Sequence, residues 1–200
     1  MSQTNQLIRL GMIAVFSVGC FLGLHIQQAD AQRVKSARTV FSKSWNRWNV
    51  RMGRKNVRLR TVFSKSWNRW RARVGRKNVN IRTVFSKSWN RWRITWRGGR
   101  AELRTVFSKS WNRWRLTVRY KRGRRYVTKR FNIRTVFSKS WNRWRITGSG
   151  RASVRTVFSK SWNRWRINDR LKGIPAPARL AAIFPCIMSG PIFSKQRRRR

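Results

Sequence analysis

The chain of 200 residues carries 51 Lys and Arg against three acids, Asp30, Glu102 and Asp169, for a formal net charge of +48. That imbalance leaves most cations without an internal partner, excludes the mixed-sign surface of an ordinary soluble domain, and points to polyanions as partners. The 13 Trp, 11 Phe and 40% hydrophobic content exclude a purely disordered basic tail, because there is apolar surface to bury.

Residues 1–31 have the layout of a signal peptide. A weakly basic start ends in Arg9, an apolar run spans Leu10 to Leu24, and Ala29-Asp30-Ala31 supplies small residues before a cleavage point. This predicts a mature chain that begins at Gln32 and is exported to the periplasm, the cell surface or the medium; a retained anchor is the alternative, with a run marginal for a span. Loss of the leader would leave Cys186 as the sole thiol, with neither an internal disulfide nor a thiolate cluster for a metal.

A short lead-in, residues 32–37, precedes a repeat array over 38–168. The block RTVFSKSWNRW occurs six times without substitution, starting at Arg38, Arg60, Arg82, Arg104, Arg134 and Arg155. A period near 22 residues marks a repeat architecture in which each unit buries its apolar face against its neighbours.

The spacers vary in identity and keep their pattern. Trp48-Val50-Met52, Trp70-Ala72-Val74, Trp92-Ile94-Trp96 and Trp114-Leu116-Val118 alternate with polar residues, as do Val57-Leu59-Thr61-Phe63 and its copies. A period of two is the signature of a half-buried strand. Glycine-rich segments between them, such as Gly53-Arg54-Lys55-Asn56 and Gly75-Arg76-Lys77-Asn78, read as hairpin turns, and Ser-Lys-Ser inside each block as the second connection. The longest gap extends symmetrically about Arg122-Gly123-Arg124, as expected when both arms of one hairpin lengthen together.

The expected fold is therefore all-β: an antiparallel hairpin array, two-faced and stacked like a solenoid, with five linked units and a partial one. A helical reading also exists, since Phe41, Trp45 and Trp48 fall at i, i+4 and i+7. The block's Thr, Val, Ser and Asn favour strand and turn over helix. The tail, 169–200, contains Pro175, Pro177, Pro185 and Pro191 and ends in Arg197 to Arg200; it is expected to be unstructured.

The chemistry on offer is binding. After leader removal the chain retains Glu102 and Asp169 but no His, so acid–base pairs, metal clusters and a Ser-His-Asp arrangement cannot be assembled. No enzyme and no cofactor is expected. Guanidinium forks match phosphate and sulfate oxygens, and aromatics between them can stack or sit at a lipid interface. The candidate polyanion contacts are Arg47, Arg60, Arg69, Arg82, Arg91, Arg104, Arg113, Arg134, Arg143, Arg155 and Arg164. Alternation places Trp45, Trp67, Trp89, Trp111, Trp141 and Trp162 on the arginine face as aromatic contacts, while Trp48 and its copies face the core.

The function expected is that of a non-enzymatic, exported cationic repeat protein binding nucleic acid, acidic polysaccharide, lipopolysaccharide or anionic membrane, with self-association through the apolar face as a further partner class. Two other readings compete. One is a secreted precursor of Trp/Arg-rich membrane-active peptides, suggested by Gly-Arg-Lys at 53–55 and 75–77. The other is a translated tandem DNA repeat without function.

Overall fold

The computed structural model describes residues 32–197, except the Ser-Lys pairs at 42–43, 64–65, 86–87, 108–109, 138–139 and 159–160. The signal-peptide expectation, on residues 1–31, lies outside the described residues, as do the centres of the six block connections.

Twelve strands follow one another as hairpins: β1 Val34–Phe41, β2 Ser44–Met52, β3 Lys55–Phe63, β4 Ser66–Val74, β5 Lys77–Phe85, β6 Ser88–Trp96, β7 Gly99–Phe107, β8 Ser110–Arg122, β9 Arg125–Thr135, β10 Arg143–Gly148, β11 Gly150–Phe158 and β12 Ser161–Leu171. Helix α1, Ala176–Arg197, comes after them.

Every strand pairs antiparallel with its sequence neighbours, and β1 pairs with β12, with Ser36 opposite Arg166 and Arg38 opposite Arg164. The sheet is thus a closed barrel rather than the open, stacked array expected from sequence, and it holds six hairpins instead of five and a part. Closure removes both sheet edges, whose unpaired backbone groups an open sheet would present to other chains. The curvature has a local origin. In five block hairpins the register slips between the Thr and the Phe of the TVF run, as between Thr61 and Phe63, where Trp70 and Ser66 are the partners. Bulges bend and twist a strand pair, and repeated round the sheet they bring its ends together.

The spacer turns are tighter than the four residues read from sequence. Met52 pairs with Lys55 and Val74 with Lys77, so each turn is Gly-Arg alone. Gly53 and Gly75 have φ of 57° and 61°. Positive φ at the first of two turn residues is what a II′ hairpin requires, and its twist matches that of the strands it joins. The spacer turns share one rim of the barrel, and the block connections share the other.

The alternation read from sequence holds along the wall. Trp48, Val50, Met52, Val57 and Leu59 are buried, while Arg47, Arg51, Arg58 and Arg60 are exposed. A wall of this many strands encloses a wide lumen, which needs a filling beyond the wall's own side chains. Helix α1 supplies it. The tail expected to be unstructured is helical from Ala176, and residues 177–189 are all buried. Phe184 meets Trp70 and Trp92 edge-on, with ring centroids 6.0 and 5.1 Å apart. The prolines do not prevent this helix. Pro177 sits in its first turn, where no intrahelical N–H is required. Pro185, inside the helix, lacks the N–H that would reach the Ala181 carbonyl, while its own carbonyl accepts from the Ser189 hydroxyl.

Among the described residues, one charged pair lies inside the barrel. Asp169 Oδ1 accepts from Arg179 Nη1 at 2.7 Å and from the Leu171 amide at 3.0 Å, while Oδ2 accepts from the Val34 amide at 3.0 Å. A single carboxylate therefore ties β1, β12 and α1 together. Tyr120, on the extended β8, donates to the Gly173 carbonyl ahead of the helix.

Candidate polyanion-binding belt

Strand geometry places the block arginines. In W-N-R-W the second Trp points inward, so the preceding Arg points outward, and the same holds for the Arg that opens each block. All eleven candidate arginines are exposed on the outer wall.

Register then brings them together. Arg60 lies between Arg47 and Arg71, Arg82 between Arg69 and Arg93, and Arg104 between Arg91 and Arg115. Arg134 lies between Arg113 and Arg145, and Arg155 between Arg143 and Arg166. The sixth group, closing the barrel, is Arg164, Arg38 and Asn49. The block arginines thus form a belt of five cross-strand triplets and one pair, and Arg100 opposite Arg119 and Arg151 opposite Arg170 add further pairs on the outer wall. Directly opposed like charges destabilise a sheet, so the belt opposes the fold unless anions or salt screen it.

Counter-charge on the wall is sparse. Glu102 faces Arg93 across the strands and reaches Arg91 at 3.5 Å, both side chains being about half exposed. Asp169, the other acid of the barrel, is buried with Arg179. One triplet lines a groove of about 550 Å³, formed by Phe63, Ser66, Asn68, Arg69, Arg82, Thr83, Val84 and Arg93. Three guanidiniums around a concavity can donate to several oxygens of a phosphate or sulfate group at once.

The extended β8–β9 hairpin adds a second cationic surface. Arg119, Lys121 and Arg130 share its outer face, Arg124 stands in its turn, and the Arg119 guanidinium lies 4.8 Å from the centre of the Tyr126 ring.

The first tryptophan of each block does not follow the alternation that predicted it on the arginine face. Trp45, Trp67, Trp89, Trp111, Trp141 and Trp162 are half-buried and pack against the core; five of them stand beside a register slip, which breaks strict alternation. Their carbonyls accept the indole N–H of the buried second tryptophan, at 2.7 to 2.9 Å in all six blocks. That bond satisfies a donor that would otherwise be costly inside an apolar core. Their own indoles link successive blocks: Trp89 donates to Asn68 Oδ1, Trp111 to Asn90 and Trp162 to Asn142, at 2.8, 2.8 and 2.7 Å.

Sequence reasoning missed two features. The block asparagine, to which sequence reasoning gave no site role, is an acceptor between repeats. The block phenylalanines, read as core, are 56 to 61% exposed at the rim. Both follow from the bulge, which no residue type announces.

Comparison with protein-family models, with curated proteins and with solved structures finds no match.

Proposed function

We propose that this protein is a non-enzymatic, exported binder of polyanions, gripping phosphate, sulfate or carboxylate groups with its arginine belt. The observation that carries this reading is the cross-strand stacking of exposed arginines, as in Arg69, Arg82 and Arg93, on a wall with little acidic counterpart. A fold that accepts opposed like charges in every repeat gains most from a ligand that neutralises them.

Two features favour one intact chain over a precursor of short peptides. Each block hairpin pairs with a neighbour on either side, and the buried Asp169 joins β1, β12 and α1. Fragments cut at the Gly-Arg turns would lose both. Mass measurement on the secreted product separates the readings, since the precursor account requires several short peptides.

Binding to heparin, single-stranded DNA and anionic vesicles, each titrated against salt, tests the proposal. If about 6 to 10 phosphates are neutralised on duplex DNA, log K against log salt has a slope of about −5 to −9. A flat response for every ligand would remove the proposed function.

A further inference from the structure

Arginine alone does not account for the block rim. Phe41, Phe63, Phe85, Phe107, Phe137 and Phe158 stand at that rim, each more than half exposed. Beside five of them is a further exposed valine, as with Val62 next to Phe63. In sequence each connection then adds a Ser-Lys pair. Large apolar side chains exposed in every repeat round a closed ring, at one end of a barrel, concentrate apolar surface of the kind that marks an interaction site.

The occupant follows from shape and charge. A ring at one end of a barrel lies across the barrel axis, so it fits a surface much broader than the barrel; a single polymer strand could meet only part of it. The arginine belt runs immediately below. Arg60 precedes Phe63 by three residues, roughly 10 Å along the strand. Aromatic rings in the interfacial layer with guanidiniums at phosphate depth is the arrangement by which proteins lie on anionic bilayers. A second copy is disfavoured as the occupant, because two chains of formal charge +48 would have to bring their belts together.

We propose that the block rim seats the barrel end-on on an anionic lipid bilayer, with the six phenylalanines in the interfacial layer and the arginine belt on the lipid phosphates. The proposal rests on the polyanion-binding reading and adds to it a ligand and an orientation.

Co-sedimentation of the full chain with phosphatidylcholine vesicles, with and without phosphatidylglycerol, tests it beside a heparin titration. Replacing the five rim phenylalanines other than Phe63, which lines the arginine groove, by serine is expected to weaken binding to the phosphatidylglycerol vesicles by about tenfold or more and to leave heparin binding unchanged. Equal vesicle binding by parent and variant would overturn the proposal. A second readout does not depend on the fivefold variant folding. In a Cys20→Ser background, an environment-sensitive fluorophore on Phe85→Cys should shift to the blue on vesicle addition, and one on Arg76→Cys, at the opposite rim, should not; the reverse pattern overturns the orientation. A parent chain that binds heparin but no vesicles sinks this proposal and leaves the polyanion reading standing, whereas binding to neither sinks both. Phenylalanine-dependent dimerisation without vesicle binding would assign the rim to a second copy and overturn the bilayer.

Discussion

Arg179 and Asp169 form an ion pair of 2.7 Å inside the barrel, with side chains 5% and 1% exposed, in a protein whose other arginines overwhelmingly face outward. The pair owes its place to connectivity. Asp169 sits two residues before the end of β12 and Arg179 in the first turns of α1, so the carboxylate holds the helix at the point where it enters the lumen.

Breaking this pair leaves one buried charge uncompensated. Asp169→Asn and Arg179→Met are each expected to destabilise the fold by about 3 to 5 kcal/mol, while the double replacement recovers much of the loss. Urea unfolding followed by tryptophan fluorescence measures all three. Additive single effects would mean that the two side chains do not act as a pair.

Salt should stabilise this protein. The belt's opposed arginines repel, and screening grows as the Debye length falls from about 10 Å to about 3 Å between 0.1 and 1 M salt. The melting temperature is expected to rise with NaCl over that range. Replacing the middle member of a triplet, Arg82→Thr, should add roughly 0.5 to 1 kcal/mol at low salt and little at high salt. The same variant should reduce the salt slope of duplex DNA binding by about 1. A melting temperature that falls as salt is added contradicts the account of the belt.

Cys186 is enclosed on α1, and burial pushes its thiol well above the ordinary value of 9.0. In a Cys20→Ser background, the native protein should resist thiol reagents that label the unfolded chain at once. The linkage sign follows from the neutral form being the one that is buried. This contribution is fully present below the ordinary thiol range and is lost as pH rises from there towards the folded value, at about 1.4 kcal/mol per pH unit. Cys186→Ala should flatten that alkaline slope, which a melting series from neutral to alkaline pH would reveal.

Gly148, at the end of β10, has φ of 116°, and a Cβ there would lie 2.4 Å from the Arg130 carbonyl oxygen. Gly148→Ala is therefore expected to cost about 2 kcal/mol or more. Gly75→Ala, also at positive φ but with open space around its Cβ position, should cost less. Equal losses in denaturant midpoint would mean that backbone conformation alone sets the effect.

The strands, their facing and the hairpin order were legible in the sequence because each is a local matter. Trp70-Ala72-Val74 and Val79-Ile81 alternate, and Gly75 supplies the turn between them. Closure was not legible. It comes from small register slips repeated from hairpin to hairpin, and the residues at a slip, Thr61 to Phe63, look like ordinary strand. The helix was hidden for another reason. Buried on all sides, residues 177–189 carry no amphipathic stripe, and the prolines that argue against a helix in water cost less at a first turn or inside a packed lumen. For the candidate site, the outward placement of the arginines was legible from spacing alone. The first tryptophans were assigned to the wrong environment because alternation was carried through a bulge.

The helix in the lumen also fixes an order of events. All twelve strands are synthesised before α1, and β1 must wait for β12, with the Val34 amide meeting Asp169 across 135 positions of chain. Earlier hairpins can pair as they emerge, but the cylinder has neither its seam nor its stopper until the last of these segments arrives. Its decisive step is thus late, long-range and slow compared with hairpin formation, and a nascent chain halted before Asp169 should remain an open, protease-sensitive ribbon.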